Sequence, residues 1–182
     1  MGLEQPCYSL HPQGEHDYTA SLSRVLAVRM HAMTEPEESP ASQVRRLMRE
    51  VDRATLATSA SGWPFASLVL AALDDVGEPL LLLSDLAEHA KNIKSDPRVS
   101  LLYDGTAGLD DPLTGPRVTI LGRARESTDT VRLDRYLVRH PSAKLYASFK
   151  DFHLYRVAME RAHLVAGFGR IHWVEAAQLL GA

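Results

Sequence analysis

The sequence predicts an α+β fold whose centre is a small antiparallel barrel or sandwich, and three observations support this prediction. Short apolar segments recur between residues 53 and 168, turn formers such as Ser61-Gly62 separate them, and amphipathic stretches flank them. Several short strands with turn signals between them are typical of barrels and sandwiches. We therefore expect a folded domain at residues 39–182. An N-terminal extension at residues 1–38, partly helical or flexible, is expected to precede it.

The composition narrows the class of protein. The chain has 182 residues, 45% of them hydrophobic, with a net charge of −3 and one cysteine, Cys7. This length suits one domain, and the lack of a basic field argues against nucleic acid or anionic lipid as partners. A single cysteine is typical of a reducing compartment. No signal peptide is recognisable, and the longest apolar run, Leu68–Leu73, is too short to span a bilayer. We expect a cytoplasmic protein that binds no nucleic acid and no membrane.

The first element of the domain is predicted to be an amphipathic helix. Ser39 followed by Pro40 indicates a helix start, with a capping residue and then proline in the first turn. Apolar residues recur at positions 44, 47, 48 and 51, which is helical spacing. Arg45, Arg46 and Arg49 fall on the other faces, and we interpret them as a solvated surface.

A block of strands follows the first helix. The predicted strands are Arg53–Ser59, Pro64–Leu73, Pro79–Leu83, Arg98–Tyr103 and Arg117–Arg125. The unbroken leucines of the third strand predict burial on both of its faces. Asp85 with Glu88 resembles a capping box, and it predicts a short helix with Leu86 inward. Residues 105–115 predict a long loop, and loops of that length are often functional.

The C-terminal part of the chain is predicted to contain both helices and strands. Helices are expected at Thr128–His140 and Ser142–Phe149, strands at Phe152–Met159 and His163–Phe168, and a terminal helix at Val174–Leu180.

Several classes of chemistry lack their motifs. The eight histidines form no HxH, HExxH or Cys/His pattern, so no metal site is expected. There is no G-x-S-x-G elbow of a hydrolase and no Walker motif. Gly167-Phe168-Gly169 is not the dinucleotide fingerprint, because it follows the last predicted strand and opens no βαβ unit.

Polar residues lie among the strands at positions where a packed core does not need them. They are Arg53, Thr55, Ser67, Ser84, His89, Lys91, Asn92 and Arg117. Two cations, several hydroxyls and a helix start around one small sheet suit a phosphorylated planar cofactor, because phosphate is bound by charged donors. Taken singly, each residue has an ordinary structural explanation, such as pairing of Lys91 with Glu88.

The segments that carry these residues occur in a family-like order. They are RATLAT at 53–58, GWPFAS at 62–67, LLSDLAEHAKNI at 82–93, DPRVSLLY at 96–103, DPLTGPRVTILG at 111–122, KDFHLYR at 150–156 and VAGFGRI at 165–171. This order resembles the FMN-binding split-barrel family of pyridoxamine 5′-phosphate oxidase-like proteins, closest to the branch that contains haem-utilisation oxygenases. The resemblance implies an antiparallel, Greek-key-like split β-barrel with flanking helices. It also implies a homodimer with one FMN per protomer at the interface.

The resemblance further implies which residues bind the cofactor. Arg53 and Lys91 would hold the FMN phosphate. The rest of the implied site consists of Ala54, Thr55 and Leu56 along the flavin, Ser67, Leu83 and Ser84 at the ring and ribityl chain, His89 and Asn92 beside the phosphate, and Arg117 and Thr119 from the neighbouring strand.

The function implied by the resemblance is a flavin-dependent oxidoreductase that acts on a small molecule, and its substrate and acid–base residues stay open. Two alternatives also stay open: a haem-binding or haem-degrading protein, and a non-enzymatic flavin- or ligand-binding module. The basic C-terminal segment with which pyridoxamine 5′-phosphate oxidases grip their substrate has no match here. His172 is the only late histidine, and a structural role is expected for it. FMN is therefore expected in preference to haem.

Overall fold

The computed structural model describes residues 38–180. Its helices are α1 (Pro40–Glu50), α2 (Glu88–Ser95), α3 (Thr130–Arg139) and α4 (Ala176–Leu179). Its strands are β1 (Arg53–Ala60), β2 (Trp63–Leu70), β3 (Ala72–Leu73), β4 (Pro79–Ser84), β5 (Arg98–Asp104), β6 (Arg117–Glu126), β7 (Phe152–Val165) and β8 (Ile171–Glu175). Short 3₁₀ helices occur at Pro112–Thr114 and Pro141–Leu145. The extension predicted for residues 1–38 lies almost wholly outside the described residues.

One antiparallel sheet contains all eight strands. Its order is β2-β1-β5-β6-β7-β4-β3, and β8 pairs with the second half of β7. β2 and β3 are consecutive in the chain but lie at opposite ends of this order. The chain passes from one end to the other through Ala71, so the sheet curls and brings β2 beside β4. No strand pairing within residues 38–180 joins β2 to β4, and the sheet is therefore a split barrel, as predicted.

Two apolar clusters stabilise the barrel. The inner cluster combines inward residues of the strands, such as Leu56, Leu101 and Ile120, with Leu47 and Met48 of α1. Ser39 begins α1 as predicted, because its Oγ accepts a hydrogen bond from the Ser42 backbone N–H at 3.2 Å.

The second cluster lies outside the barrel, between β4 and α3. It includes Leu80, Leu82 and Leu154 from the sheet and Tyr136 from α3. Leu81 and Leu83 of the same strand belong to the inner cluster. Burial on both faces of this strand, predicted from its unbroken leucines, is therefore observed.

The C-terminal half differs from the prediction in two respects. Residues 152–165 form one strand, and its register against β6 shifts between Leu121 and Gly122, which leaves Glu160 as an extra residue in a β-bulge. The predicted terminal helix, Val174–Leu180, is helical at Ala176–Leu179, but its first two residues belong to strand β8, which was not predicted. Only Val174 of β8 is buried, so the sequence offers no alternating pattern that would predict this strand.

The start of α2 also differs from the prediction. α2 begins at Glu88 after Ala87 without a side-chain cap. The carboxylate of Asp85 instead accepts hydrogen bonds from Lys94 Nζ at 2.7 Å and lies 3.1 Å from His153 Nε2. Leu86, predicted inward, is 78% exposed. No helix within residues 38–180 is long and apolar enough to cross a membrane.

Candidate functional site

The split of the barrel forms a groove, called here the β2–β4 groove. Its volume is about 350 Å³, and its walls are mainly apolar and aromatic. The apolar and aromatic residues of its wall include Leu68, Leu70, Leu82, Tyr136, Tyr146 and Phe152. The groove exists because β2 and β4 approach each other without pairing, so side chains rather than backbone hydrogen bonds fill the space between them.

A histidine lies in this apolar wall. His89, at the start of α2, is half-buried in the groove, and its Nδ1 is 3.1 Å from Ser67 Oγ on β2. Burial lowers the pKa of His89 from 6.5, because the apolar surroundings disfavour the imidazolium. A neutral ring at physiological pH has one nitrogen lone pair available. In the tautomer whose Nδ1–H donates to Ser67, that lone pair is on Nε2.

Leu83 and Ser84 lie at the end of β4 in the same groove. The Ser84 hydroxyl donates to Asp151 Oδ2 at 2.7 Å and accepts from the Leu86 backbone N–H at 3.1 Å. Leu83 is only 3% exposed, so it reaches a ligand only by its backbone. The structure thus brings together Ser67, Leu83, Ser84 and His89 among the residues predicted from the sequence.

Asn92 has a partner that the sequence analysis missed. Its Nδ2 donates to Thr58 Oγ1 at 3.0 Å, and both side chains are buried. This bond ties α2 to the far end of β1. Since α2 also carries His89, the Asn92–Thr58 pair positions one wall of the β2–β4 groove. A threonine in a strand has no sequence signal that separates this role from ordinary packing.

A second groove lies on the other side of β2, where β1 and β5 separate, and is called here the β1–β5 groove. The two strands pair only from Thr55 with Leu102 to Ala57 with Ser100. Beyond Thr55 a groove of about 440 Å³ opens, lined by the predicted residues Arg53, Ala54 and Thr55. Leu56 is fully buried in the barrel. Leu68 lines both grooves, so the two are adjacent.

The two predicted phosphate ligands are attached near opposite ends of β1, and each pairs with a neighbouring carboxylate. Arg53 begins β1 and pairs with Asp52, Nε to Oδ1 at 3.1 Å. Lys91 is next to Asn92, which is tied to Thr58 at the other end of the strand, and it pairs with Glu88 at 3.4 Å. Five residues of strand separate Arg53 from Thr58, or about 17 Å.

Arg117 and Thr119 lie on the outward face of the sheet, next to β5. The register aligns Thr55, Leu102, Thr119, His163 and Trp173 in one row across the sheet. Arg117 itself donates to the backbone carbonyls of Leu113 and Gly115 at 3.0 and 3.2 Å, and it thereby fixes the loop predicted at 105–115.

Residues that the sequence analysis missed include Tyr136, Tyr146 and Phe152, which come from α3, the following turn and β7. From the sequence, their apolar and aromatic side chains predict only that they are buried in a hydrophobic core. They reach the groove because α3 packs on the outer face of β4. Within the described part of the chain, no group of three or more His, Cys, Asp or Glu side chains could hold a metal ion.

The curled antiparallel sheet, the split between β2 and β4 and the flanking helices define the class of pyridoxamine 5′-phosphate oxidase-like split-barrel proteins. More particularly, the chain belongs to the CREG beta-barrel family, whose profile it matches over residues 35–180. A putative pyridoxamine 5′-phosphate oxidase from Listeria innocua has the same fold, with 14% identity, a TM-score of 0.55, and coverage of 70% of this chain and 98% of that one. The resemblance stated from the sequence is thus confirmed.

Two further proteins are more similar in sequence, and both have heme in their names. The chloroplastic heme oxygenase HOZ from Arabidopsis thaliana is 31% identical over 135 residues, which cover 71% of this chain and 41% of that protein. The structure of a heme binding protein from Mycobacterium smegmatis matches with a TM-score of 0.75 and 31% identity, covering 80% of this chain and 61% of that one. The chain therefore spans less than half the length of HOZ and under two thirds of the mycobacterial protein.

Proposed function

We propose that this protein binds haem in the β2–β4 groove. The observation that carries the proposal is an apolar, aromatic groove with a single half-buried histidine whose second ring nitrogen is engaged by a hydroxyl. Haem needs an apolar surface for its macrocycle and an axial ligand for its iron, which a histidine can supply. The names of the two relatives at 31% identity support the same ligand.

The chemistry of the groove residues suits this ligand. The lowered pKa of His89 keeps the imidazole neutral, and a metal binds only the neutral ring. Ser67 supplies the outer hydrogen bond that fixes the orientation of a ligating histidine. Bound haem would supply redox chemistry, whereas the chain would bind the macrocycle, orient it and exclude water.

A homodimer is part of the proposal. β2 is the end strand of the sheet, and it exposes Trp63 by 78%, Leu68 by 73%, and Phe65 and Leu70 by 37% each. An end strand with exposed apolar side chains can pack against another chain, and a second copy would cover it with two-fold symmetry. Such a copy would also close the β2–β4 groove on the side where β2 meets solvent. Light scattering should show a mass of two chains; a stable monomer at micromolar concentration contradicts this arrangement.

Haem titration tests the ligand. We expect a saturable Soret band for the full chain and a loss of affinity for His89→Ala. Ser67→Ala should weaken binding by about tenfold, as outer-shell changes do at metal sites. The matched control is His172→Ala, on the exposed strand β8, which should bind like the wild type. A protein without saturable binding overturns the proposal, and a spectrum unchanged in His89→Ala overturns the assignment of the histidine.

The second candidate is the flavin-dependent oxidoreductase predicted from the sequence. What favours it is the β1–β5 groove, where the Arg53 cation lies beside the backbone of Ala54 and Thr55. Lys91 lies toward the other end of β1, so Arg53 is the cation that tests this groove. FMN and riboflavin differ only in the phosphate, so Arg53→Ala should weaken FMN alone. Equal binding of both flavins by the wild type would remove this candidate.

The cytoplasmic location also stays a prediction, which cell fractionation would test.

A further inference from the structure

A third groove lies away from both candidate sites, between α1, α3 and the turn from β3 to β4. It is called here the arginine groove, and its volume is about 330 Å³. Its floor is apolar, with Met48, Leu73, Met159 and Leu179. Its rim carries three arginines, Arg45, Arg49 and Arg135. An apolar floor with a cationic rim is suited to a molecule that has both an apolar body and a negative charge.

Helical spacing places the arginines around the groove. Arg45 and Arg49 are one turn apart on α1, and Arg135 and Arg139 are one turn apart on α3. Arg139 Nη2 donates to the carbonyls of Arg49 and Glu50 at 2.9 and 3.2 Å, and it thereby joins the end of α1 to α3. Arg45 is held by the Gln178 carbonyl at 2.8 Å. Of the three rim arginines, Arg45 is thus the one whose guanidinium is held within residues 38–180, and a carbonyl holds it without offsetting its charge.

Acidic residues near the groove do not neutralise this rim. Asp74 is fully buried, and its carboxylate accepts from Arg132 Nε at 3.1 Å and from the Val76 and Glu78 backbone N–H groups. Only Asp75 adds a further negative charge to the lining. Within residues 38–180, Arg49 and Arg135 have no carboxylate at ion-pair distance.

Arg46 provides the comparison on the same helix. It pairs with Glu38 at 3.2 Å and with Glu50 at 3.1 Å, so it conforms to the solvated surface predicted for the α1 arginines. Arg49 is exposed as well, and Arg45 is partly exposed; these two side chains differ from Arg46 in that they line the groove. Three like charges around one cavity repel each other, and an anion between them would relieve this repulsion.

We propose that the arginine groove binds a small amphiphilic anion, a carboxylate or phosphate monoester on an apolar body. The anionic group would lie between Arg49 and Arg135, with the apolar body on Met48, Leu73 and Met159. Guanidinium groups suit both anions, because they donate paired hydrogen bonds in a fixed plane. The site is separate from the haem and flavin grooves, and the proposal does not depend on either.

Calorimetric titration of the full chain with octanoate tests the proposal. We expect one octanoate per chain for the wild type. The double variant Arg49→Ala/Arg135→Ala should bind at least about tenfold more weakly, since each charge-assisted bond is worth that factor. Arg49→Lys/Arg135→Lys should restore part of the affinity. Acetate, without the apolar body, and octylammonium, with the opposite charge, should not bind.

Two further variants make the result specific to the groove. Val76→Trp adds bulk at the mouth of the groove while leaving the arginines in place, and it should also weaken octanoate. Arg125→Ala, an exposed arginine on β6, is the matched control and should bind like the wild type. Absence of binding by the wild type at about 1 mM octanoate overturns the proposal. So does equal binding by the wild type and the double alanine variant. His89→Ala should retain octanoate binding, and its loss would place the ligand in the β2–β4 groove instead.

Discussion

Removal of one buried hydroxyl tests how α2 is positioned against the barrel. Thr58 Oγ1 accepts a hydrogen bond from Asn92 Nδ2 at 3.0 Å, and the two residues are 5% and 6% exposed. Thr58→Val keeps the shape of the side chain but leaves the Asn92 amide buried without this acceptor. An unsatisfied buried donor costs about 1–3 kcal/mol. For a chain of this size each kcal/mol lowers the Tm by about 2–4 °C.

The partner variant separates this cost from packing. Asn92→Leu combined with Thr58→Val removes donor and acceptor together, and such a double replacement can be close to neutral. The coupling energy of the cycle should then be about 0.5–3 kcal/mol. Urea unfolding followed by circular dichroism measures all four proteins. Thr55→Val, on the exposed face of the same strand, is the matched control and should be within about 0.5 kcal/mol of the wild type.

The same variants also test haem binding in the β2–β4 groove. Because α2 carries His89, a loosened Thr58→Val protein should also bind haem more weakly, while the more tightly packed double variant should recover part of that affinity. The reasoning is refuted if Thr58→Val is as stable as the wild type, or if the double variant is less stable than the sum of the single variants predicts.

Two predictions concern other parts of the fold. Gly122→Ala, on β6 opposite the bulge of β7, should cost about 1–3 kcal/mol, because the added Cβ would clash with the Ala158 carbonyl oxygen and lie 2.9 Å from Val157 Cγ1; a Tm equal to that of the wild type would contradict it. The Arg98 side chain holds the pKa of Asp96 at about 2, against an ordinary 3.8. The stability from this depressed carboxyl is complete above pH 3.8 and is lost as the pH falls through 2. Asp96→Asn should therefore flatten the dependence of Tm on pH between 4 and 2, and an unchanged slope would count against the pair.

Local pattern accounts for the strands that were predicted well. β1, β4, β5 and β6 begin at the predicted residues and end one residue later than expected. Each has alternating or continuous apolar residues bounded by Gly, Pro or Asp, and these signals act within a few residues of the chain. The same locality explains α1, whose start depends on Ser39 and Pro40 alone.

Non-local contacts account for what the sequence analysis missed. Residues 64–73 read as one strand, but Ala71 divides them between the two ends of the sheet, since the curl of the sheet is set by all of its strands together. Glu160 reads as a strand boundary and is instead a bulge, because Gly122 on the opposite strand allows close approach there.

For the candidate site, the sequence by itself determined which polar residues surround the small sheet and the family to which their order belongs. Only the tertiary structure decided how they divide. His89 and Ser67 lie at the β2–β4 groove with aromatic residues of distant segments, whereas Arg53 lines the β1–β5 groove. The reason is physical: residue type and spacing determine what a segment can do, but the partners of a side chain depend on where a curled sheet brings segments that are far apart in the chain.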